Sequence, residues 1–334
     1  MTKPDTKSQS WWPFTVTIAI LAALFGALAP SFVHRYHLSL PAALGIYFCF
    51  LVSLILVIAP GMKTPRAWLQ ARLQDRQALA LLPFLWCSPY LLYTAGTHDF
   101  RWLPLIRLFT VAALPLLIYR LFPVRSLERF TWQDLAVAVC LIVALMKHQL
   151  AGIWNVPVNL DFMGRLFLIT VGSWCWIFVR PVPQLGFEFF FSTRTWRAAA
   201  SNFALFAIIA IPAGLAIGFT AWNPHRITLL KFAVDYLEIF LFIALLEELF
   251  FRGFLQTLIS ASLNSPRNGQ ILISCVFGLF HILHEPFPNW RYVILAAIAG
   301  WFYGTAFVKG GNLMASALTH AMVDTLWRTY FTKS

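Results

Sequence analysis

The chain has 334 residues, of which 60% are hydrophobic and only 11% are charged. Soluble globular proteins average about 45–50% apolar and about 25% charged residues, so this composition excludes a soluble enzyme and indicates a multi-pass membrane protein. The net charge of +12 comes from 25 Lys and Arg against 13 Asp and Glu. We expect this surplus in cytoplasmic loops, and we expect no nucleic-acid binding, because no loop is basic enough to follow a phosphate backbone.

Apolar runs that approach the length of a membrane span follow one another along the whole chain. A span needs about 20 apolar residues, and the shorter runs at 134–150 and 270–284 are also compatible with tilted, re-entrant or buried helices. The sequence therefore predicts an all-α fold, a polytopic transmembrane helical bundle of about 8–11 spans. The runs in chain order are 12–33, 41–60, 79–97, 103–122, 134–150, 163–180, 199–221, 230–259, 270–284, 291–308 and 313–328.

Basic residues are alternately abundant and sparse in successive loops. The positive-inside rule then places the N-terminus in the cytoplasm, together with loop 260–269 and the turn at Lys309–Asn312. We expect an integral, multi-pass protein of a cell membrane, either an inner or a plasma membrane. The abundant set comprises Lys3, Lys7, Lys63, Arg66, Arg72, Arg76, Arg120, Arg125, Arg129, Arg180, Arg194 and Arg197. The sparse loops contain Arg35, Arg101 and Arg226, with Lys147 and Arg165 near the ends of the fifth run.

The segment "PQLGFEFFFSTRTWR" at 183–197 mixes aromatic residues with arginines and a lone Glu188. Such a mixture is typical of a stretch that lies on the membrane surface. We therefore predict an interfacial segment here, between two membrane runs.

The five cysteines lie in apolar runs, and none forms a C-x-x-C pair. An odd number without paired spacing argues against a disulfide framework or a zinc knuckle. We predict no metal and no cofactor.

Charged and histidine side chains inside the last apolar runs form three groups, the first of which is "EELFFR". Such side chains are costly in a bilayer and usually functional. Glu248 and Arg252 are one helical turn apart with the acid first, which is the favourable order for a pair. Glu247 points about 100° away from its neighbour. The simplest division makes Glu248 and Arg252 a structural pair and gives the chemistry to Glu247, although a plain ion network at a helix end is the alternative.

The second and third groups are "FGLFH", which ends at His281, and "HAMVD", which begins at His320. His281 follows Phe277 by one turn, and a histidine on an apolar helix is often a packing residue, so this motif alone is weak. His284 is a candidate partner of the site and otherwise an interface residue. Asp324 follows His320 by one turn. A carboxylate that orients an imidazole is a recurring catalytic device and also a common structural hydrogen bond.

The three groups are expected to lie at a similar depth. Glu247 lies twelve residues before the loop at 260–269 and His281 twelve residues after it, so an antiparallel hairpin would place both roughly 18 Å from the same turn. His320 and Asp324 lie roughly 12–18 Å beyond the next turn on that side. Unrelated packing residues would not be expected to converge in this way.

The ordered set E-E-x-x-x-R, F-x-x-x-H and H-x-x-x-D/N resembles the CAAX protease and bacteriocin-processing (CPBP, or Abi) family. These are intramembrane glutamic endopeptidases, and they include the Ras-converting CAAX proteases. The resemblance covers roughly residues 230–328, so the catalytic helices are expected at the C-terminal end of the bundle. We therefore predict a protease core at 199–334 and an N-terminal transmembrane region of unknown role at 1–198.

The resemblance implies that Glu247 is a general base and that His281 is its partner on a water molecule. It implies that His320 and residue 324 stabilise an oxyanion or hold the water. Members similar to the Ras-converting type have asparagine at the last position, where this chain has Asp324. An ionised aspartate cannot donate a hydrogen bond, so it either orients His320 or stays protonated in a dry site. The expected catalytic set is Glu247, Glu248, His281, His320 and Asp324, with Arg252 as a structural ion-pair partner.

These features predict an intramembrane endopeptidase that hydrolyses a peptide bond with a water activated by Glu and His. The expected partners are membrane lipid and a membrane-associated peptide or protein C-terminal tail at the cytoplasmic face. This tail is a lipidated C-terminus, a bacteriocin leader or a sorting tail.

Three alternatives remain open. The first is a zinc-dependent membrane protease, although the chain lacks H-E-x-x-H. The second is a transporter with a Glu/His/Asp proton relay, although no repeat is evident. The third is a non-catalytic family member that serves as a scaffold or immunity protein.

Overall fold

The computed structural model describes residues 10–146, 149–223 and 228–333, and within these ranges the chain is mainly helical. The prediction of an all-α polytopic bundle is confirmed. The chain divides into two compact units. Unit 1 comprises Met1–Val124 and Trp132–Arg180, and unit 2 comprises Arg125–Thr131 and Pro181–Ser334. The expected division into 1–198 and 199–334 stays a prediction. Four basic residues of the topology prediction lie outside the described residues, namely Lys3, Lys7, Lys147 and Arg226.

Unit 1 is a helical bundle in which most of the helices are apolar. Its α2 and α5 pack closely because two glycines face each other, and a Cβ atom on Gly45 would come within 2.7 Å of the Cα of Gly96. A 3₁₀ turn at Ala59–Gly61 follows α2, and a π-helical turn at Cys175–Val179 follows α8. The helices are α1 Trp12–Tyr36, α2 Leu40–Ile58, α3 Lys63–Arg72, α4 Arg76–Ala80, α5 Leu82–Thr97, α6 Trp102–Leu121, α7 Trp132–Met146 and α8 Met163–Trp174.

A buried ion pair joins three helical parts of unit 1. Arg180, just past the π-helical turn, donates to both carboxylate oxygens of Asp134 in α7, at 2.8 and 3.0 Å. The hydroxyl of Tyr119 in α6 donates to the same carboxylate at 3.0 Å. Asp134 and Arg180 are both buried. A bidentate pair of this kind satisfies most of the hydrogen-bonding capacity of two charges that the bilayer would otherwise penalise.

Unit 2 contains the segments that carry all three motifs. Two π-helical stretches, Phe240–Ala244 and Leu249–Gln256, join α10, α11 and α12 into one continuous helical segment, residues 229–262. The strands pair antiparallel. The elements are α9 Thr193–Ala216, β1 Thr220–Trp222, α10 Leu229–Ile239, α11 Leu245–Glu248, α12 Thr257–Ser262, α13 Pro266–Leu279, α14 Trp290–Gly310, α15 Leu313–Tyr330 and β2 Phe331–Lys333.

Short polar turns set where α13 and α15 begin. The side chain of Ser265 accepts a hydrogen bond from the backbone three residues on, and Pro266 occupies the first helical position, which suits its fixed φ. Gly311 ends α14 in the left-handed conformation, with φ of 74°. Asn312 then caps α15 in the same manner as Ser265 caps α13. The first turn thus joins α12 to α13, and the second joins α14 to α15.

All eleven predicted runs coincide with helices, and the protein is an integral membrane protein. Among the described residues, six helices are long and apolar enough to cross a membrane, and two shorter apolar helices accompany them. No residue of α1 is fully buried within the chain, although one side of this helix contacts α2 through Phe25 and Phe50. The six are Trp12–Tyr36, Leu40–Gly61, Gln77–Thr97, Trp102–Leu121, Thr193–Ala216 and Trp290–Gly310, and the shorter pair are Trp132–Met146 and Met163–Val179.

The predicted runs at 199–221 and 270–284 extend beyond the helices they contain. The run at 199–221 ends as helix at Ala216, because Gly218 turns the chain with φ of 60° into the short strand β1. The run at 270–284 ends as helix at Leu279. The segment 183–197 lacks regular structure up to Ser192, which caps α9; its position on the membrane surface stays a prediction.

Candidate active site

A cavity of about 350 Å³ inside unit 2 brings together side chains from all three motifs. Glu247, His281, His320 and Asp324 line this cavity. We call it the catalytic cavity, after the role that the sequence predicts for these residues. The rest of its wall is mainly apolar or aromatic and includes Phe206, Phe219, Ile239, Ile243, Leu295 and Trp327. A few polar groups in an apolar concavity are typical of a substrate site.

Glu248 is completely buried and contacts three side chains at once. Its Oε1 accepts a hydrogen bond from Nδ1 of His320 at 2.8 Å. Its Oε2 accepts a short hydrogen bond from the hydroxyl of Ser316 and lies 3.2 Å from Nε of Arg252. The arginine contact is an ion pair rather than an aligned hydrogen bond, because Nε makes no hydrogen bond. Neither Glu248 nor Arg252 lines the catalytic cavity. The pair therefore acts on the cavity through His320, which lines it and is hydrogen-bonded to Glu248.

The guanidinium of Arg252 is held between α14 and an aromatic ring. Its Nη2 donates to the carbonyl oxygen of Gly300 at 3.0 Å. A Cβ atom at position 300 would lie 3.3 Å from this nitrogen and 3.2 Å from the backbone of Ser274, so glycine permits the close approach. The ring of Phe277 lies 4.6 Å from Cζ of Arg252, a cation–π distance. The phenylalanine of F-x-x-x-H thus covers the arginine of E-E-x-x-x-R.

Two carboxylates of the catalytic cavity face the other nitrogen of His320. Its Nε2 lies 3.3 Å from Oδ2 of Asp324 and 3.9 Å from Oε2 of Glu247. These two acidic side chains are 38% and 30% exposed, whereas His320 is buried. The imidazole therefore connects the buried acid Glu248 to the two acids that are accessible from the cavity.

The placement of protons on His320 follows from its partners. A carboxylate only accepts, so Nδ1 donates to Glu248. In a neutral imidazole Nε2 would then be an acceptor facing the acceptor oxygens of Asp324. The contact is favourable when His320 is an imidazolium or when Asp324 carries a proton. In both cases a hydrogen bond between Asp324 and Nε2 orients the ring of His320. The ring also stacks on Tyr303, with centroids 4.5 Å apart.

His281 lies just past the end of α13, not within the helix that the run at 270–284 predicts. Its Nδ1 donates to the carbonyl oxygen of Phe277 at 2.9 Å, the carbonyl that another helical turn would have used. Its backbone N–H instead donates to Gly278 at 2.9 Å. The imidazole thus closes the helix end, and in the neutral tautomer Nε2 is left as an acceptor for water.

Three further side chains at the site lie outside the three sequence motifs. Ser316 donates to Glu248 from one turn before His320, and this four-residue spacing is the one clue the sequence offers. Tyr303 stacks on His320, and Tyr292 lies 4.6 Å from the ring of His281. Both tyrosines belong to α14, which contains no charged motif, so pattern reasoning passes over them.

The helix around the acidic doublet departs from regular α geometry. Glu247 and Glu248 end the short α11, between the two π-helical stretches. π-Helical insertions are rare in proteins, and those that occur are often found at functional sites. The widened turns change the helical phase on both sides of the doublet, so the faces of this segment cannot be derived from a constant 100° per residue.

The catalytic cavity extends toward one end of the unit 2 helices. It reaches Phe219 after α9, His284 after α13, Tyr292 in the first turn of α14 and Arg328 in the last turn of α15. The turns at the other helix ends, between α12 and α13 and between α14 and α15, border a separate cavity of about 900 Å³. The site therefore opens away from these two turns.

Residues 229–326 match the family model described as Rce1-like, type II CAAX prenyl endopeptidase Rce1-like. No curated protein and no solved structure matches the chain. The predicted family resemblance is confirmed over this segment, which is less than a third of the chain and contains all three motifs. The match indicates a membrane-embedded peptidase.

Proposed function

We propose that this protein is an intramembrane glutamic endopeptidase in which Glu247 and His281 activate a water molecule. The observation that carries the proposal is the contrast between the two adjacent glutamates. Glu248 is completely buried and contacts Arg252 and His320, whereas Glu247 is partly exposed in a cavity that it shares with His281 and His320. This contrast supports an organising role for Glu248 and contact with the substrate for Glu247.

The chemistry is hydrolysis by general base catalysis. Glu247 takes a proton from water as the oxygen attacks the carbonyl carbon of the scissile bond. His281 accepts the second hydrogen of that water through Nε2 and so orients it. His320, as an imidazolium, donates from Nε2 to the carbonyl oxygen as negative charge develops there. When the tetrahedral intermediate collapses, the C–N bond breaks and Glu247 returns its proton to the leaving amine.

Glu248, Arg252 and Ser316 position this machinery without touching substrate. Glu248 fixes the ring of His320 by its hydrogen bond to Nδ1. Arg252 balances the charge of that buried acid and is itself held by Gly300. Because the pair is buried, loss of either member leaves an uncompensated charge in a low-dielectric interior.

We propose that the substrate is a membrane-associated peptide or protein C-terminal tail. The matched family is named for endopeptidases that act on prenylated CAAX sequences. The catalytic cavity has aromatic and aliphatic walls around its polar groups, which suits a short peptide attached to an apolar anchor.

The side of the membrane from which this tail approaches is coupled to the topology. The positive-inside rule places the turns after α12 and α14 in the cytoplasm, and the catalytic cavity extends toward the opposite helix ends. If these turns lie in the cytoplasm, the cavity opens toward the other side of the membrane, and the substrate cannot approach from the cytoplasm. The two sequence predictions therefore cannot both be correct. Labelling of an Asn264→Cys variant with a membrane-impermeant thiol reagent, in vesicles of known orientation, decides between them.

The test is cleavage of a peptide library by purified protein in detergent. We expect Glu247→Gln to lower kcat by about 10²–10⁴-fold, the usual contribution of a general base. The thermal unfolding midpoint should not change, because the residue is partly exposed and the amide has nearly the same shape. Glu128→Gln is the matched control, since Glu128 borders the separate 900 Å³ cavity. Full cleavage by Glu247→Gln would overturn the mechanism.

A further inference from the structure

Arg328 shares a helix face with the two polar residues of the third motif. It follows Asp324 by four residues and His320 by eight, so the three side chains lie in a row along α15. Arg328 lines the same catalytic cavity. Among the described residues that line this cavity, no other is a lysine or an arginine. The row therefore runs from an imidazole through a carboxylate to a cationic outer end.

The contact that Arg328 makes within the protein is weak. Its Nη1 lies 3.4 Å from Oε2 of Glu238, and the two side chains are 50% and 49% exposed. Exposed pairs at such distances contribute little to stability. A carboxylate on a bound substrate can therefore displace Glu238, and the planar guanidinium can bind it with two parallel hydrogen bonds.

The separation along α15 corresponds to a short peptide. Eight residues of helix place Arg328 about 12 Å from His320 along the axis. An extended peptide advances roughly 3.3–3.6 Å per residue, so three or four residues cover this distance. Glu247 and Asp324 repel a terminal carboxylate from the inner end of the cavity, which orients the tail with its carboxylate toward Arg328.

We propose that Arg328 binds the C-terminal carboxylate of the substrate and so orients the tail in the catalytic cavity. The proposal rests on the proposed function, since it names the substrate group that the same site recognises. Arg328 is thereby a specificity-determining residue, and Glu238 competes with the substrate carboxylate for it.

The experiment compares peptides that are identical except for a free carboxylate or an amide at the C-terminus. We expect wild-type protein to cleave the carboxylate peptide with a KM about tenfold or more lower, the size of one charge-assisted interaction. Arg328→Gln should raise the KM of the carboxylate peptide to that of the amide peptide and leave kcat nearly unchanged. Arg328→Lys should give an intermediate KM, because it keeps the charge and loses the planar fork.

Two further variants separate binding from structure. Glu238→Gln removes the competing acid, so we expect it to lower the KM of the carboxylate peptide, whereas a merely structural ion pair would make Glu238→Gln and Arg328→Gln behave alike. Arg291→Gln is the matched control. Arg291 is an exposed arginine that donates to Gly218 at 3.0 Å, and it does not line the catalytic cavity.

The outcomes distinguish this proposal from the proposed function. Equal KM values for the two peptides with wild-type protein, or an unchanged ratio in Arg328→Gln with an unchanged unfolding midpoint, overturn the role of Arg328. They leave the protease intact as long as Glu247→Gln abolishes cleavage of both peptides. Cleavage that survives in Glu247→Gln overturns the proposed function instead.

Discussion

Each unit of the protein contains a buried arginine–carboxylate pair, and the two pairs differ in what surrounds them. In unit 1, Arg180 holds both carboxylate oxygens of Asp134 at 2.8 and 3.0 Å. In unit 2, Arg252 lies 3.2 Å from one oxygen of Glu248, and the other oxygen accepts from His320. The first arginine binds both oxygens of its acid, whereas the second contacts one oxygen and leaves the other to an imidazole.

This difference separates a structural charge cluster from a candidate active site. Charges inside membrane helices are costly in either case and therefore have to be paired. The unit 1 pair is completed by Tyr119, a neutral donor. The unit 2 pair is linked through His320 to Glu247 and Asp324, which are partly exposed in a cavity. Buried charge alone thus does not indicate catalysis, but its connection to accessible acids does.

Among the changes that test this comparison, Glu248→Gln has the largest expected effect, because it should reduce both stability and activity. The substitution leaves Arg252 uncompensated in a buried site, at a cost of about 3–5 kcal/mol. It also replaces the charged acceptor that holds Nδ1 of His320. We expect a lower thermal unfolding midpoint and, in the fraction that remains folded, a kcat at least tenfold lower. A wild-type kcat in that fraction would contradict the proposal that Glu248 positions His320 for catalysis.

Asp134→Asn should reproduce the stability loss without the loss of activity. Arg180 then remains buried without its counter-charge, so a destabilisation of about 3–5 kcal/mol is expected. Asp134 does not line the catalytic cavity, so kcat per folded molecule should equal that of wild type. The measurements are thermal unfolding in detergent and active-fraction-corrected kinetics. The double variant Asp134→Leu with Arg180→Leu should recover stability, because replacing both charges removes the penalty.

Asp324→Asn is expected to have a smaller effect on kcat, and its sign distinguishes two roles for this carboxylate. Asparagine keeps an acceptor oxygen for Nε2 of His320 and removes the charge, which weakens a charge-assisted hydrogen bond by about 1 kcal/mol. This corresponds to a roughly fivefold lower kcat. A kcat above that of wild type would instead indicate that residue 324 acts as a donor to the oxyanion, as an asparagine can and an ionised aspartate cannot.

Helical periodicity in the sequence is enough to predict the elements and part of the site. The eleven apolar runs coincide with helices, and four-residue spacing places His320 beside Asp324 and Glu248 beside Arg252. These contacts are local, so a periodicity of 3.6 residues describes them.

The remaining parts of the site depend on contacts between distant segments. The hydrogen bond from His320 to Glu248 joins residues that are 72 positions apart, and no spacing rule predicts it. The end of α13 at Leu279 is set by the side chain of His281, which takes a carbonyl from the backbone. The π-helical stretches beside Glu247 have no signature in a 3.6-residue pattern.

The smallest expected effect is that of metal removal. A zinc site built from one glutamate and two histidines needs a lone pair from each imidazole. In His320, Nδ1 donates to Glu248 and Nε2 faces Asp324, so neither nitrogen offers a lone pair to a metal. Within the described ranges, no three His, Cys, Asp or Glu side chains are grouped to hold an ion.

We therefore expect prolonged treatment with a strong chelator to leave kcat and KM unchanged. The matched control is a zinc-dependent protease treated in the same detergent, which should lose its activity. If this protein loses cleavage on chelation and regains it with added zinc, His320 must release Glu248 or Asp324 to bind the metal. In that case the unit 2 pair would lie beside a metal site, and Glu248 would not hold His320 in place during catalysis.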